Sequence, residues 1–302
     1  MIRLAGLRPK PRRVRMPPGL PFFCRRLLIA IPLGIALCRC DTAKPFSLLP
    51  CPNRHEIHYR ICAERKCCIK PPMNFYILTL FPEMITQGLN HSIIKRALAN
   101  KLITLNCINI RDFADNKHKK TDDYPYGGGV GLVMQPWPVY NAFKSIEKFL
   151  PPGCPVIYLS PRGSVFKQEK AFALAKEKTL VLLCGHYEGI DQRVIDEIVT
   201  EEISIGDYIL TGGELAAMVI IDATARLADQ VISKKEATLE ESFNNNLLEH
   251  NHYTRPAIFL DKKVPDVLLS GHHKKIADFR KAQAIEITKK RRPDLKNGQT
   301  HI

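Results

Sequence analysis

Three short apolar runs between residues 180 and 215 each dissolve into a glycine-bearing turn, and this pattern constrains the chain more than any other. Residues 180–184 break on Gly185 and continue as His186-Tyr187-Glu188-Gly189. Residues 203–205 break on Gly206-Asp207-Tyr208, and Ile209-Leu210 break on Thr211-Gly212-Gly213-Glu214. Short apolar runs bounded by glycine read as buried strands. Strand ends that open into glycine turns are where open α/β sheets bind ligands, because backbone amides and carbonyls come within reach of a small molecule there. Any one of these turns is ordinary punctuation between strands. Three in one stretch point to a pocket built from backbone.

The rest of the body alternates in the same way. Apolar strands are expected at 75–81, 102–110 and 156–159, and helices at 83–101, 136–149, 167–177 and 215–227. Leu89, Ile93, Ala97 and Leu98 fall on one face of the first helix. Residues 111–134 read as a long polar loop holding Asp122-Asp123-Tyr124-Pro125-Tyr126 and Gly127-Gly128-Gly129-Val130-Gly131. Strands alternating with helices predict an α/β fold with a mostly parallel sheet covered on both faces, over residues 73–232. Residues 233–247 are polar, charged and Asn-rich, which suits a flexible linker. Residues 248–302 read as a small helical second domain, with a basic helix at 274–290.

Charge and cysteine divide the chain sharply. Residues 1–72 hold 15 Lys+Arg against 3 Asp+Glu, so +12 of the total +15 lies there, and the body is only weakly basic. The overall charge therefore does not describe a phosphate-binding surface spread over the fold. Seven of the ten cysteines also precede Met73, leaving Cys107, Cys154 and Cys184 in the body. With no Cys-x-x-Cys and no Cys/His spacing typical of zinc, the body suits a reducing, cytoplasmic compartment. The apolar stretch 27–38 is interrupted by Pro32 and too short to span a bilayer, so no membrane partner is expected. It follows basic residues as a signal peptide does, yet no clean small-x-small cleavage site comes after it. We read residues 1–72 as a disordered or non-native N-terminal extension, with a targeting segment as the alternative.

The turns supply glycines, backbone groups, Tyr187, Tyr208 and the carboxylates Glu188, Asp207 and Glu214, but no lysine or arginine to face phosphates. Neither the P-loop spacing nor the dinucleotide G-x-G-x-x-G is present. A ligand with an adenine to bury and a cationic or neutral head fits better than a triphosphate. The C-terminal region differs. His250, His252, Tyr253, Arg255, His272, His273 and Arg280 bring cations together with a stackable aromatic, which suits a phosphodiester backbone and unpaired bases, although a solvated helix face shows similar lysines. Arg226, Glu240 and Glu241 are charges whose role spacing does not reveal.

Residues 73–295 resemble the tRNA (guanine-N1)-methyltransferases of the bacterial TrmD type nearly end to end. The resemblance is carried by Leu80-Phe81-Pro82-Glu83-Met84, Arg111-Asp112-Phe113, Asp122-Asp123 with Pro125 to Gly129, and Val156-Ile157-Tyr158-Leu159-Ser160-Pro161. It continues through Cys184-Gly185, Tyr187-Glu188-Gly189-Ile190-Asp191, residues 204–210, Gly212-Gly213-Glu214-Leu215, His252-Tyr253-Thr254-Arg255-Pro256 and Leu268-Leu269-Ser270-Gly271.

The resemblance implies a SPOUT-like fold whose mostly parallel sheet ends in a trefoil knot, joined by the linker to a helical domain that grips the tRNA anticodon stem-loop. It implies a homodimer with a shared active site, S-adenosylmethionine as methyl donor, and a requirement for Mg²⁺ whose ligands it does not assign. The donor would lie against Tyr158, Leu159, Ser160, Pro161, Gly185, Tyr187, Glu188, Gly189, Ile205, Gly206, Asp207, Tyr208, Ile209, Leu210, Gly212 and Gly213. Asp122, His186, His252, Arg255 and Ser270 would face the RNA, with His186 standing where relatives carry arginine or histidine.

The implied reaction places a methyl on N1 of guanosine 37 after a preceding guanosine. Guanine N1 carries a proton and is a poor nucleophile, so a base must remove it and a cation should stabilise charge growing on O6. By resemblance the cation is Arg226 and the base is Glu241, where the family ordinarily has aspartate. Two alternatives remain beside this reading: a tRNA-binding relative weakened in catalysis through Glu241, and a knotted methyltransferase for another RNA site.

Overall fold

The computed structural model describes residues 28–30, 36–38, 71–232 and 241–297, and divides the chain into two compact units, 1–69 and 70–302. In the first unit β1 (Leu28–Ala30) pairs antiparallel with β2 (Ala36–Cys38). The remaining expectations for residues 1–72 concern positions outside the described residues. Among the described residues no helix is long and apolar enough to cross a membrane.

The second unit is built on a five-stranded, wholly parallel sheet. Its strands are β3 (Met73–Thr79), β4 (Ile103–Asn109), β7 (Val156–Val165), β8 (Thr179–Cys184) and β9 (Glu201–Ser204), in the order β4-β3-β8-β7-β9. Two-residue strands β5 (Asp122–Asp123) and β6 (Val133–Met134) pair antiparallel within the loop that precedes the helix beginning at Pro136. β8 is central and all six of its residues are buried, as expected for a strand covered on both faces. Its side chains alternate between two cores, Leu180, Leu182 and Cys184 in one, Val181 and Leu183 in the other.

The first core lies under α1 (Pro82–Gly88), α2 (Ser92–Ala99), α4 (Gln168–Leu174) and α6 (Glu214–Ala225), through Ile85, Ile94, Leu174 and Ile220. The second lies under α3 (Pro136–Glu147) and α5 (Gln192–Ile198), through Val139, Phe143, Ile195 and Ile198. Each fully buried Leu or Ile contributes about 1.5–3 kcal/mol by leaving water. The α/β class and the parallel sheet agree with the sequence expectation.

Several elements differ from it. The helix expected at 83–101 is two helices, broken over Leu89-Asn90-His91 after Gly88. A side chain at Gly88 would meet Met218 Sδ of α6 at 2.5 Å, so the glycine lets the two helices approach closely. The strand beginning at Val156 runs on to Val165 with an irregularity between Leu159 and Ser164. Helix α5 has no counterpart among the expected helices, although Val194, Ile195 and Ile198 keep helical spacing and are buried. Its signal is Asp191, whose carboxylate accepts from Arg193 N at 2.9 Å and caps the first turn.

Beyond α6, residues 233–240 of the expected linker lie outside the described residues. The chain then forms a 3-10 turn (Asn244–Asn246), a hairpin of β10 (Ile258–Phe259) and β11 (Lys262–Lys263), the short α7 (Asp266–Leu269) and the long α8 (His273–Arg291). Only Thr288 is buried along α8. Its hydroxyl accepts from Leu248 N at 2.8 Å and donates to Ala284 O at 2.7 Å, tying the segment before His252 to the helix.

Candidate active site

The first and third glycine turns cross beyond the C-terminal end of β8, and the second follows β9. The first leaves β8 through Gly185, with Tyr187 and Gly189 at φ +59° and +131°. It is pinned to the polar loop: Glu188 N donates to Leu132 O at 3.0 Å, Met134 N to Gly189 O at 2.9 Å, and Asp191 N to Met134 O at 3.1 Å. The second turn follows β9, where Ser204 Oγ both accepts from Gly206 N and donates to Gly206 O. Tyr208 OH closes back on Ile205 O at 3.2 Å. The third turn folds across the first, with Gly213 N donating to Gly185 O at 2.9 Å and His186 bridging Gly212.

Space, more than flexibility, demands glycine at this crossing. A Cβ on Gly213 would lie 2.7 Å from Cys184 Cα, and one on Gly185 would lie 2.9 Å from the Tyr158 hydroxyl. Tyr158 is buried beneath the turns, and burial pushes its phenol upward. Leu159 and Ser160 are buried beside it, and Ser160 Oγ accepts from Arg162 N. Above the glycines Tyr187, Tyr208 and Ile209 are exposed, with Ile209 at 80 %. The result is a backbone floor with an apolar and aromatic rim.

A buried carboxylate holds that floor in place. Glu214, only 1 % exposed at the start of α6, accepts from Thr79 Oγ1 at 2.6 Å and lies 2.7 Å from His186 Nε2. Burial pushes its carboxyl up, but the hydrogen bonds from His186 and Thr79 outweigh this and the net shift is downward. Phe81 packs edge-on against His186 with ring centres 5.1 Å apart, and Arg111 lies over Phe81 at 5.8 Å. The strand end, the first turn and the third turn are thus joined by a single side chain.

A second carboxylate is only partly buried. Arg226, the residue after α6, grips Glu241 with two parallel bonds of 2.6 and 2.5 Å. The two side chains are 28 % and 30 % exposed. The arginine bonds hold the Glu241 carboxyl below its ordinary range. The cysteines of the body are inert by comparison, since burial raises the Cys107 and Cys154 thiols to about 11 and Cys184 well above its usual value.

Residues 73–298 match the family model described as tRNA (Guanine-1)-methyltransferase TrmD. The chain belongs to this family. A protein of Alkaliphilus metalliredigens named tRNA (guanine-N(1)-)-methyltransferase is 57 % identical over 228 residues, covering 75 % of this chain and 92 % of its own. Proteins with the same name from Alkaliphilus oremlandii and Clostridioides difficile are 56 % and 54 % identical, covering 72 % and 74 % of this chain and 90 % and 97 % of theirs.

The TrmD resemblance named three groups of residues, and the structure arranges them differently. Of the residues assigned to the donor by resemblance, Gly185 and Gly213 cross beyond β8 and Tyr158 lies against Gly185, while Arg226 touches Glu241. The five residues that the resemblance turns toward RNA do not form one cluster. His252 and Arg255 line a single open hollow with Tyr253 and Arg280, while Ser270 caps the end of α7 by donating to Val267 O. Asp122 is buried in the β5 pairing, and the His186 ring is committed to Glu214. Sequence reasoning missed Thr79 and left Glu214 without a role. A polar residue ending an apolar strand, and a carboxylate directly before the apolar 215–227 run, were the available signals.

Proposed function

We propose that this protein transfers a methyl group to N1 of guanosine 37 in tRNAs that carry a preceding guanosine. The observation that carries the proposal is the Arg226–Glu241 pair, set beyond a glycine-built floor within a chain of the TrmD family. S-adenosylmethionine fits the floor by chemistry: backbone groups and the exposed Tyr187, Tyr208 and Ile209 suit an adenosyl group, and no cation in the three turns repels a sulfonium. It would supply the activated methyl.

The side chains of this protein supply the rest. The two arginine bonds keep Glu241 ionised, so it accepts the N1 proton without first losing its own. Arg226 places two donor nitrogens on Glu241, and exchanging one of these bonds for guanine O6 stabilises the charge that develops as N1 is deprotonated. A glutamate in place of the family's aspartate adds a methylene, yet its carboxylate still reaches Arg226 with both oxygens, which supports a working base.

We also read residues 73–232 as the methyltransferase domain, 233–247 as linker and 248–302 as the tRNA-binding domain. The trefoil knot is supported by membership of the TrmD family and by the third turn folding across the first, with Gly213 N on Gly185 O. The anticodon stem-loop would meet His252, Tyr253 and Arg255. A homodimer with a shared site, Mg²⁺ dependence and a cytoplasmic location complete the proposal.

The test is transfer of labelled methyl from S-adenosylmethionine to tRNA transcripts with guanosine or adenosine before the target guanosine. Methylation of the first transcript only, lost in Glu241→Ala, is the expected result. Retained S-adenosylmethionine binding with no methylation by the parent chain would overturn it in favour of a binding-only relative.

A further inference from the structure

Glu249, His250 and His252 each present one ligand atom, and these three atoms lie within 4.8 Å of one another. The residues sit on the segment leading to Tyr253. Several bonds fix that segment. Glu249 N donates to Ser242 Oγ at 3.0 Å, Leu248 N to Thr288 Oγ1 at 2.8 Å, and Asn251 N to Gln283 Oε1 at 3.0 Å. The backbone is therefore held at both ends of the cluster by α8 and by Ser242.

The side chains are disposed as ligands are. His250 Nδ1 lies 2.9 Å from Asn251 O, so that nitrogen carries the proton and Nε2 keeps a free lone pair. A metal-bound imidazole typically uses its second nitrogen in this way. The two imidazole rings lie 4.7 Å apart at 49°, and His252 Nε2 is already 3.0 Å from Glu249 Oε1. Tetrahedral zinc with bonds of about 2.0–2.1 Å sets its ligand atoms roughly 3.3 Å apart. Binding would draw the His252 and His250 side chains toward Glu249 while the backbone bonds to Ser242, Thr288 and Gln283 stay in place.

We propose that Glu249, His250 and His252 form a site for a divalent transition metal of the zinc class, with water completing the coordination. Two imidazoles and one carboxylate match the ligand set of open zinc sites and suit late first-row metals, whereas Mg²⁺ prefers oxygen ligands and keeps its waters. Simple i,i+3 pairing of Glu249 with His252 needs no His250, which is what separates the two accounts experimentally.

The experiment uses the full chain, stripped with chelator and with its thiols blocked by N-ethylmaleimide so that cysteines bind no metal. Zn²⁺ is titrated by calorimetry, and Co²⁺ is added separately to read coordination from its visible spectrum. The expected result is one Zn²⁺ site that His250→Ala and Glu249→Gln each weaken at least ~10-fold, a visible Co²⁺ band of four-coordinate intensity, and no competition by millimolar Mg²⁺. Circular dichroism confirms that the variants fold. Absence of a Zn²⁺ site, or a site that both variants leave unchanged, overturns the proposal.

Discussion

Two glutamates bracket α6 in this protein and are treated in opposite ways. Glu214, at its start, is sealed from water and shared between a strand-end threonine and a turn histidine. Glu241, beyond its end, is nearly one-third exposed and held only by Arg226 among the bonds described for its side chain. A buried, fully bonded carboxylate fixes geometry and is costly to disturb. An exposed carboxylate on one arginine can be exchanged for another partner, which a proton acceptor must allow. Under the proposed function the glycine floor stays still and the Arg226–Glu241 pair opens.

The sharpest way to break this contrast is to remove each carboxylate. Glu241→Ala is expected to lower kcat for methyl transfer by about 10²–10⁴, the range for a positioned general base, with stability and S-adenosylmethionine affinity nearly unchanged. Glu241→Asp should recover most of that loss. Rapid-quench single-turnover rates alongside thermal melts would check it, and a stability loss as large as the activity loss would erase the proposed difference.

Glu214→Ala should do the reverse. It strands His186 and Thr79 at the pocket and is expected to cost about 3–5 kcal/mol of stability, as when one partner of a buried pair is lost. Donor affinity should fall with it, while any methyl transfer at saturating donor keeps its dependence on Glu241. Denaturant unfolding with and without donor measures both quantities.

Acid titration sharpens the comparison further. Glu214 is held below its ordinary value when folded, so its contribution is fully present at neutral pH. That contribution is lost as pH falls from the usual glutamate range through the depressed folded value, because the unfolded chain takes up the proton first. Glu214→Gln should therefore flatten the decline in stability between roughly pH 5 and pH 3. Glu241→Gln should change that slope less, since solvent screens its pair. Equal slopes for the two variants would contradict the division into fixed and exchangeable carboxylates.

The same division explains what was legible in the sequence. The sheet could be read because β8 and its neighbours are short apolar runs with glycine stops, and burial on both faces leaves no other use for such runs. The glycine crossing could be read because close backbone approach demands glycine at particular positions, as at Gly185 and Gly213. The Glu214 network could not, since Thr79 and Glu214 lie 135 residues apart and only the sheet order brings them together. Arg226 and Glu241 are one helix end and one linker position, and residue spacing alone gave neither a role; family resemblance supplied it. The break between α1 and α2 was missed because Leu89 and Ala97 keep helical period across it.

The smallest expected effects come from the glycines themselves, and they separate two reasons for having one. Gly213 sits at an ordinary φ of −80°, so alanine suffers no backbone strain there, but its Cβ would lie 2.7 Å from the Cys184 backbone. Forcing the turns apart should cost about 1–3 kcal/mol and weaken donor binding, because the displaced atoms are the floor itself. Gly127 is the converse case, with open space around it and a φ of +87°. Alanine there meets nothing and carries only the left-handed penalty of about 1–2 kcal/mol, part of which the surrounding loop relieves by relaxing. Donor affinity should be unchanged in Gly127→Ala and reduced in Gly213→Ala at matched stability loss. If calorimetry gave the two variants the same donor affinity, the floor would not depend on the crossing at Cys184, and the fixed half of the comparison would fail.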